Sequence, residues 1–142
     1  MNEPPITNYL AYLLAQANRP VTAQLAEALG EEGAQIEHWR ILEVLSDEQG
    51  RSMGELAELV LMNHPALTKI IDRMVSAGYV HRRADPEDSR RVLVYISDRG
   101  VEWTARLKEC VDLHHEAINA AVGPKKAEQL KRLLGDLIRN TE

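Results

Sequence analysis

The sequence predicts a mainly α fold with one small β-hairpin, an α+β arrangement in which helices flank a compact centre. Three observations carry this reading. Apolar residues recur at helical spacing through most of the chain. Two runs, 79–83 and 91–96, are instead rich in β-branched residues and enclose a turn-forming segment, 84–90. Finally, the run 63–78 carries helix punctuation at both ends.

Each element has a local justification. Ile6, Tyr9, Leu10, Leu13, Leu14 and Ala17 form a helical stripe that Val21, Leu25, Ala28 and Leu29 continue. Pro20 lies inside it and predicts a kink or a short break near Asn18–Pro20, because proline removes a hydrogen bond and clashes with the preceding turn. Gly30 and Gly33 end the segment, and residues 34–48 form a second helix on Ile36, Trp39, Leu42, Val44 and Leu45. Arg51 and Ser52 add a short strand to the hairpin. A short helix follows over 52–60, with Met53, Leu56, Ala57, Leu59 and Val60 apolar.

The next helix is the best specified. Asn63 caps its first amides, Pro65 fits the first turn, and Gly78 supplies the left-handed residue that stops it. Leu67, Ile70, Ile71 and Met74 make one apolar face; Ala66, Thr68, Lys69 and Arg73 make the other. Beyond the hairpin, Ser97 caps a long helix with Val101, Thr104, Ala105, Leu107, Val111, Leu113, Ile118 and Val122 as its apolar set. Gly123-Pro124 marks a turn. The last helix carries Ala127, Leu130, Leu133, Leu134, Leu137 and Ile138, a stripe that needs either its own core or a second subunit.

Two helices joined by a few residues, the second with a small, hydroxylated and cationic face, have helix-turn-helix spacing. A basic hairpin after them makes a winged helix. Here the chain resembles the MarR (multiple antibiotic resistance regulator) family. The resemblance rests on Leu67-Thr68-Lys69-Ile70-Ile71-Asp72-Arg73-Met74, on Gly78-Tyr79-Val80, on Arg83-x-Asp85-Pro86-x-Asp88-x-Arg90 and on Val94-x-Ile96-Ser97-x-x-Gly100. Ile96-Ser97 stands where Leu-Thr is usual. The resemblance implies a winged helix-turn-helix over 34–100, with residues 1–33 and 101–142 as helical dimerisation arms. It also implies a homodimeric transcriptional regulator, here expected to be a repressor.

The bounds agree. The chain has 142 residues and one cysteine, enough length for a real core and no internal disulfide. It has no apolar run of membrane-spanning length and no signal-peptide layout, so a soluble, cytoplasmic protein without a membrane partner is expected. The formal net charge of −5 argues at first against DNA. Its distribution answers that objection. Residues 64–99 hold seven Lys/Arg against five acids, whereas residues 1–63 hold three against ten. The only net-positive segment is the proposed reading head.

Double-stranded DNA is therefore the expected partner. A symmetric dimer would set two reading helices about 34 Å apart, which predicts an inverted-repeat operator. On the helix, Thr68 is placed to hydrogen-bond a base or phosphate, and Lys69 to reach a guanine edge or a phosphate. Pro65 and Ala66 are placed against thymine methyls. Asn63 and His64 lie by the positive helix end and suit phosphate. Arg73 either contacts phosphate or pairs with a wing acid. Arg90 is the residue expected in the minor groove. The resemblance implies that Asp88 holds it in position, and Arg91 is read as a backbone contact.

The resemblance also implies a small, often aromatic and anionic effector between the dimer helices and the winged part, such as a phenolic carboxylate. Tyr9, Tyr12, Arg19, His38, Trp39 and Arg40 are the candidates, offering an aromatic wall and a cation. Trp39 and Tyr9 read more readily as core packing, whereas Arg19 and His38 are the least explained by packing. Cys110, His114 and His115 do not make a metal site, and no cofactor is expected. Cys110 suits a helix contact better than a redox sensor, since the family's oxidant-sensing cysteine lies in the first helix. Without a G-x-S-x-G, P-loop or Rossmann fingerprint, no enzyme is expected. The alternative function is a winged-helix protein-interaction module without specific DNA binding.

Overall fold

The computed structural model describes residues 4–142; the first three residues of the predicted N-terminal arm lie outside it. After a short 3-10 turn at Pro5–Asn8, the chain runs α1 (Leu10–Gly30), α2 (Ile36–Leu45), β1 (Arg51–Ser52), α3 (Met53–Val60) and α4 (His64–Ser76). It continues with β2 (Val80–Ala84), β3 (Val92–Ile96), α5 (Asp98–Val122) and α6 (Pro124–Thr141). The mainly α architecture with a small antiparallel sheet is thus present. The strand order is β1-β3-β2, with Arg51 opposite Val94 and Val80 opposite Ile96. The two-residue β1 joins the hairpin as expected.

Helix boundaries follow their caps. Ser52 Oγ accepts the Glu55 amide at 3.2 Å and Asn63 Oδ1 accepts the Ala66 amide at 2.9 Å, each satisfying a first-turn N–H that has no intrahelical partner. At the far end of α4, the Tyr79 amide donates to the Met74 carbonyl and the Gly78 amide to Val75, a Schellman motif. It requires the left-handed backbone that Gly78 adopts at φ +83°.

One continuous core joins the helices. Leu67, Ile70, Ile71 and Met74 of α4 are all buried, packed with Leu42 and Leu45 of α2, Leu56 and Val60 of α3, and Val94 of β3. Leu25 and Leu29 of α1 and Trp103 and Leu107 of α5 extend the same cluster. Burying each such side chain stabilises by about 1.5–3 kcal/mol.

Two expectations are corrected. First, of the kink or short break expected near Asn18–Pro20, the break is absent: α1 is one helix through Pro20. Residues 13–20 are all exposed, so water can serve the carbonyl that Pro20 leaves without a donor, and Thr22 Oγ1 binds the Asn18 carbonyl at 2.6 Å. Second, the buried face of α5 is Gly100, Trp103, Thr104 and Leu107, whereas Val101, Ala105 and Leu113 face outward. Trp103 was not in the expected set. The bulky indole sets the helix's rotation by filling the space beside Tyr79, which it stacks at 4.2 Å.

Among the described residues no helix is long and apolar enough to cross a membrane. In α6 only Ala127 is buried; Leu130, Leu133 and Ile138 are exposed. Leu10, Leu13, Leu14 and Ala17 of α1 lie beside Leu130, Leu133, Leu134 and Leu137 of α6, lining a leucine-rich groove of about 450 Å³.

Candidate nucleic-acid interface

The N-terminal half of α4 presents the face that the sequence predicts. His64, Pro65, Thr68 and Lys69 are exposed and Ala66 is half-buried, because the Leu67–Ile70–Ile71–Met74 face turns into the core. Thr68 Oγ1 donates to the His64 carbonyl at 3.0 Å, which leaves its oxygen lone pairs outward as acceptors. The side-chain oxygen of Asn63 is occupied by the cap, so only its amide N–H groups remain for a ligand.

Arg73 is exposed and makes no ion pair among the described residues. The bond between this helix and the wing is made instead by its neighbour: Asp72 pairs with Arg82 of β2. Arg73 points toward α2, where it lines two adjoining cavities with His38.

The wing loop is built around two aspartates. Asp85 Oδ1 accepts the Glu87 amide at 2.9 Å, and Asp88 Oδ1 accepts both the amide of Arg90 and its Nε. The Arg90 side chain is nonetheless 91% exposed, since its carboxylate partner sits behind it on the same loop. Arg91 turns the other way and pairs with Glu55 of α3. Arg83 lies over the Tyr95 ring at 5.9 Å, adding a further cation to the wing.

Of the six effector candidates, only His38 lines the two hollows behind α4. The first, about 380 Å³, lies between Glu32, His38, Arg73, Met74, Tyr79 and Trp103. The second, about 480 Å³, shares His38 and Arg73 and adds Lys69. His38 is explained by packing after all: it sits 5.3 Å from the Trp103 ring, and its Nδ1 accepts the Gln35 amide at 3.0 Å. Burial lowers its pKa from the ordinary value, with Glu37 opposing. Tyr9 is 67% exposed rather than packed, Arg19 is exposed, Tyr12 is half-buried on α1, and Trp39 and Arg40 are half-buried on α2. None of these five lines either hollow. Tyr79, Trp103 and Glu32 do, and the sequence reading missed them.

Cys110 is half-buried against the core. Burial pushes its thiol pKa up, and Glu32, Glu31 and Glu109 push the same way, so the reactive thiolate is disfavoured.

A helix-turn-helix with an exposed polar reading face, flanked by an arginine-tipped hairpin, defines the winged helix-turn-helix class of DNA-binding proteins. Residues 33–91 match the family model described as MarR family. It is 29% identical over 126 residues to the HTH-type transcriptional regulator FarR of Neisseria gonorrhoeae, covering 89% of this chain and 86% of that one. Its fold matches the transcriptional repressor CouR bound to a 23-mer DNA duplex, with a TM-score of 0.88 over 97% of this chain and 98% of that one, at 20% identity. It also matches NadR in complex with 4-hydroxyphenylacetate, with a TM-score of 0.79, 28% identity, and 96% and 97% of the two chains covered. The protein is a DNA-binding transcriptional regulator, and its relatives are regulators and not enzymes.

Proposed function

We propose that the protein is a homodimeric repressor that covers an inverted-repeat operator and is released by a small aromatic anion. The observation that carries this reading is the pairing of two surfaces in one chain. Thr68 and Lys69 stand exposed on a helix whose other face is fully buried, while the arms at both ends carry an uncovered leucine face.

The arms, residues 1–33 and 101–142, would bury that face against a second copy. Contiguous apolar surface of this kind marks an interaction site. Closing it symmetrically would set two α4 helices about one turn of DNA apart, the geometry of an inverted repeat. Within each half-site, Pro65, Ala66, Thr68 and Lys69 read base edges, Asn63 and His64 bind phosphate, and Arg90 enters the minor groove from its Asp88 support. Arg91 adds a backbone contact.

The effector site is the hollow behind α4. Tyr79 and Trp103 offer stacked aromatic faces, and Arg73, which makes no ion pair among the described residues, offers a cation. An aryl carboxylate suits that combination, and NadR, of like fold, is known with 4-hydroxyphenylacetate. A ligand that wedges α4 away from α2 would shift the dimer to a spacing that does not fit DNA. Driving that equilibrium from one side to the other takes a preference of about 10⁴-fold for the released state.

The test is a gel shift of the protein's own upstream intergenic DNA in excess nonspecific competitor, repeated with aryl carboxylates. A persistent shift that an aryl carboxylate dissolves supports the reading. No shift at low salt supports a protein-interaction module instead.

A further inference from the structure

We propose that Glu55 is a specificity-determining residue, holding Arg91 away from DNA phosphate until the wing is fully seated. The inference rests on the reading that the wing lies on DNA, and goes beyond it by assigning a role to an acid on a different element.

Three arginines of the wing strands and loop carry acidic partners: Arg82 with Asp72, Arg90 with Asp88 and Arg91 with Glu55. The last two pairs, on neighbouring arginines, work in opposite senses. Asp88 lies two residues from Arg90 and leaves its side chain 91% exposed at the tip. Glu55 reaches Arg91 from α3, 36 residues away in sequence, and draws the guanidinium back against the helix. The carboxylate is itself held: Ser52 Oγ donates to Glu55 Oε1 at 2.9 Å while accepting the Glu55 amide. The oxygen that receives Arg91 is therefore fixed in place by the cap of α3.

A carboxylate oxygen facing a guanidinium N–H presents the same acceptor chemistry as a phosphate oxygen. Glu55 thus stands in for DNA. Both side chains of the pair are about half-exposed, at 48% and 45%. Such a pair shifts an equilibrium by about fivefold at most, so phosphate can displace it. For Arg91, docking is then an exchange of one anion for another rather than a new contact. Its contribution to loose, sequence-independent binding is discounted, which keeps free repressor off the bulk of the genome.

The test measures fluorescence anisotropy on a random-sequence duplex of about three helical turns, between about 50 and 200 mM salt. Wild type, Glu55→Gln, Arg91→Ala and the double variant are compared with Glu58→Gln, an acid one turn along α3 that controls for loss of a negative charge. Glutamine keeps the oxygen that Ser52 uses, and thermal melting checks that the fold survives. Glu55→Gln is expected to bind the duplex more tightly than Glu58→Gln. Its salt exponent should be steeper by about 0.9, so that its advantage shrinks about 3.5-fold across the salt range. In the Arg91→Ala background that advantage should vanish. Binding by Glu55→Gln no tighter than by Glu58→Gln, or an advantage that survives loss of Arg91, overturns the proposal while leaving the DNA reading intact. A wild type without salt-dependent binding removes both.

Discussion

One carboxylate oxygen of Asp88 receives Arg90 twice, from the backbone amide at 3.1 Å and from Nε at 3.2 Å. The bond closes within three residues, so it fixes the direction of the side chain without burying it. An ion pair this exposed contributes about 0–1 kcal/mol at most, and its value lies in presentation. Arg90→Ala is therefore expected to change stability by less than about 0.5 kcal/mol, the usual range for surface substitutions. The same change should weaken duplex binding and lower the salt exponent by about 0.9. Asp88→Asn should weaken binding with the exponent unchanged. Paired denaturation and anisotropy titrations read both effects, and an unchanged exponent for Arg90→Ala removes that residue from the interface.

The arms make a separate prediction. Leu133 is 64% exposed beside the groove formed with Leu10 and Leu14. In a symmetric dimer each substitution counts twice, so Leu133→Asp is expected to weaken self-association by about 3–6 kcal/mol, more than a hundredfold. Sedimentation velocity should show wild-type dimer and variant monomer at the same concentration. A variant that remains dimeric places the subunit contact elsewhere.

His38 predicts a pH dependence with a definite sign. Burial lowers its folded-state pKa below the ordinary 6.5, so in the window beneath 6.5 the unfolded chain binds the proton more readily. The stability from neutral His38 is fully present above 6.5 and is lost as pH falls through the folded-state value. Protonation also removes the lone pair that accepts the Gln35 amide. His38→Gln, which keeps an acceptor but no titration, should flatten the decline of stability below 6.5 in urea titrations. Parallel wild-type and variant curves would contradict this.

Gly100 tests the junction between wing and arm. A Cβ there would lie 2.2 Å from the Tyr79 carbonyl oxygen and 2.8 Å from Ile96 Cγ1, with backbone on one side that cannot step aside. Gly100→Ala is expected to destabilise by about 1–3 kcal/mol, the cost of overpacking, despite alanine's better helix propensity. A denaturation midpoint equal to or above wild type would show that the junction is looser than described.

What could be read in advance was what the chain decides locally. Asn63, Pro65 and Gly78 act on amides within a turn of themselves, so the bounds of α4 and its exposed face followed from the sequence. The bond between Asp88 and Arg90, two residues apart, is what the family resemblance implies. Contacts between distant segments were not. Nothing near Arg91 announces Glu55, and nothing near Arg73 shows that it faces His38 while Asp72 takes the wing. Trp103 lies outside a stripe of α5 phased on Val101 and Ala105, although Trp103, Leu107 and Val111 keep helical spacing. Pro20 does not break α1 for the opposite reason: its local penalty is real, but an exposed helix flank lets solvent serve the freed carbonyl.

The central claim is that two copies of α4 read DNA at a fixed separation. Hydroxyl-radical footprinting of the protein's own upstream DNA tests it most directly. The account predicts two protected half-sites related by inversion, with centres one helical turn apart, about 34 Å. A single protected half-site, or two in direct repeat, would contradict it.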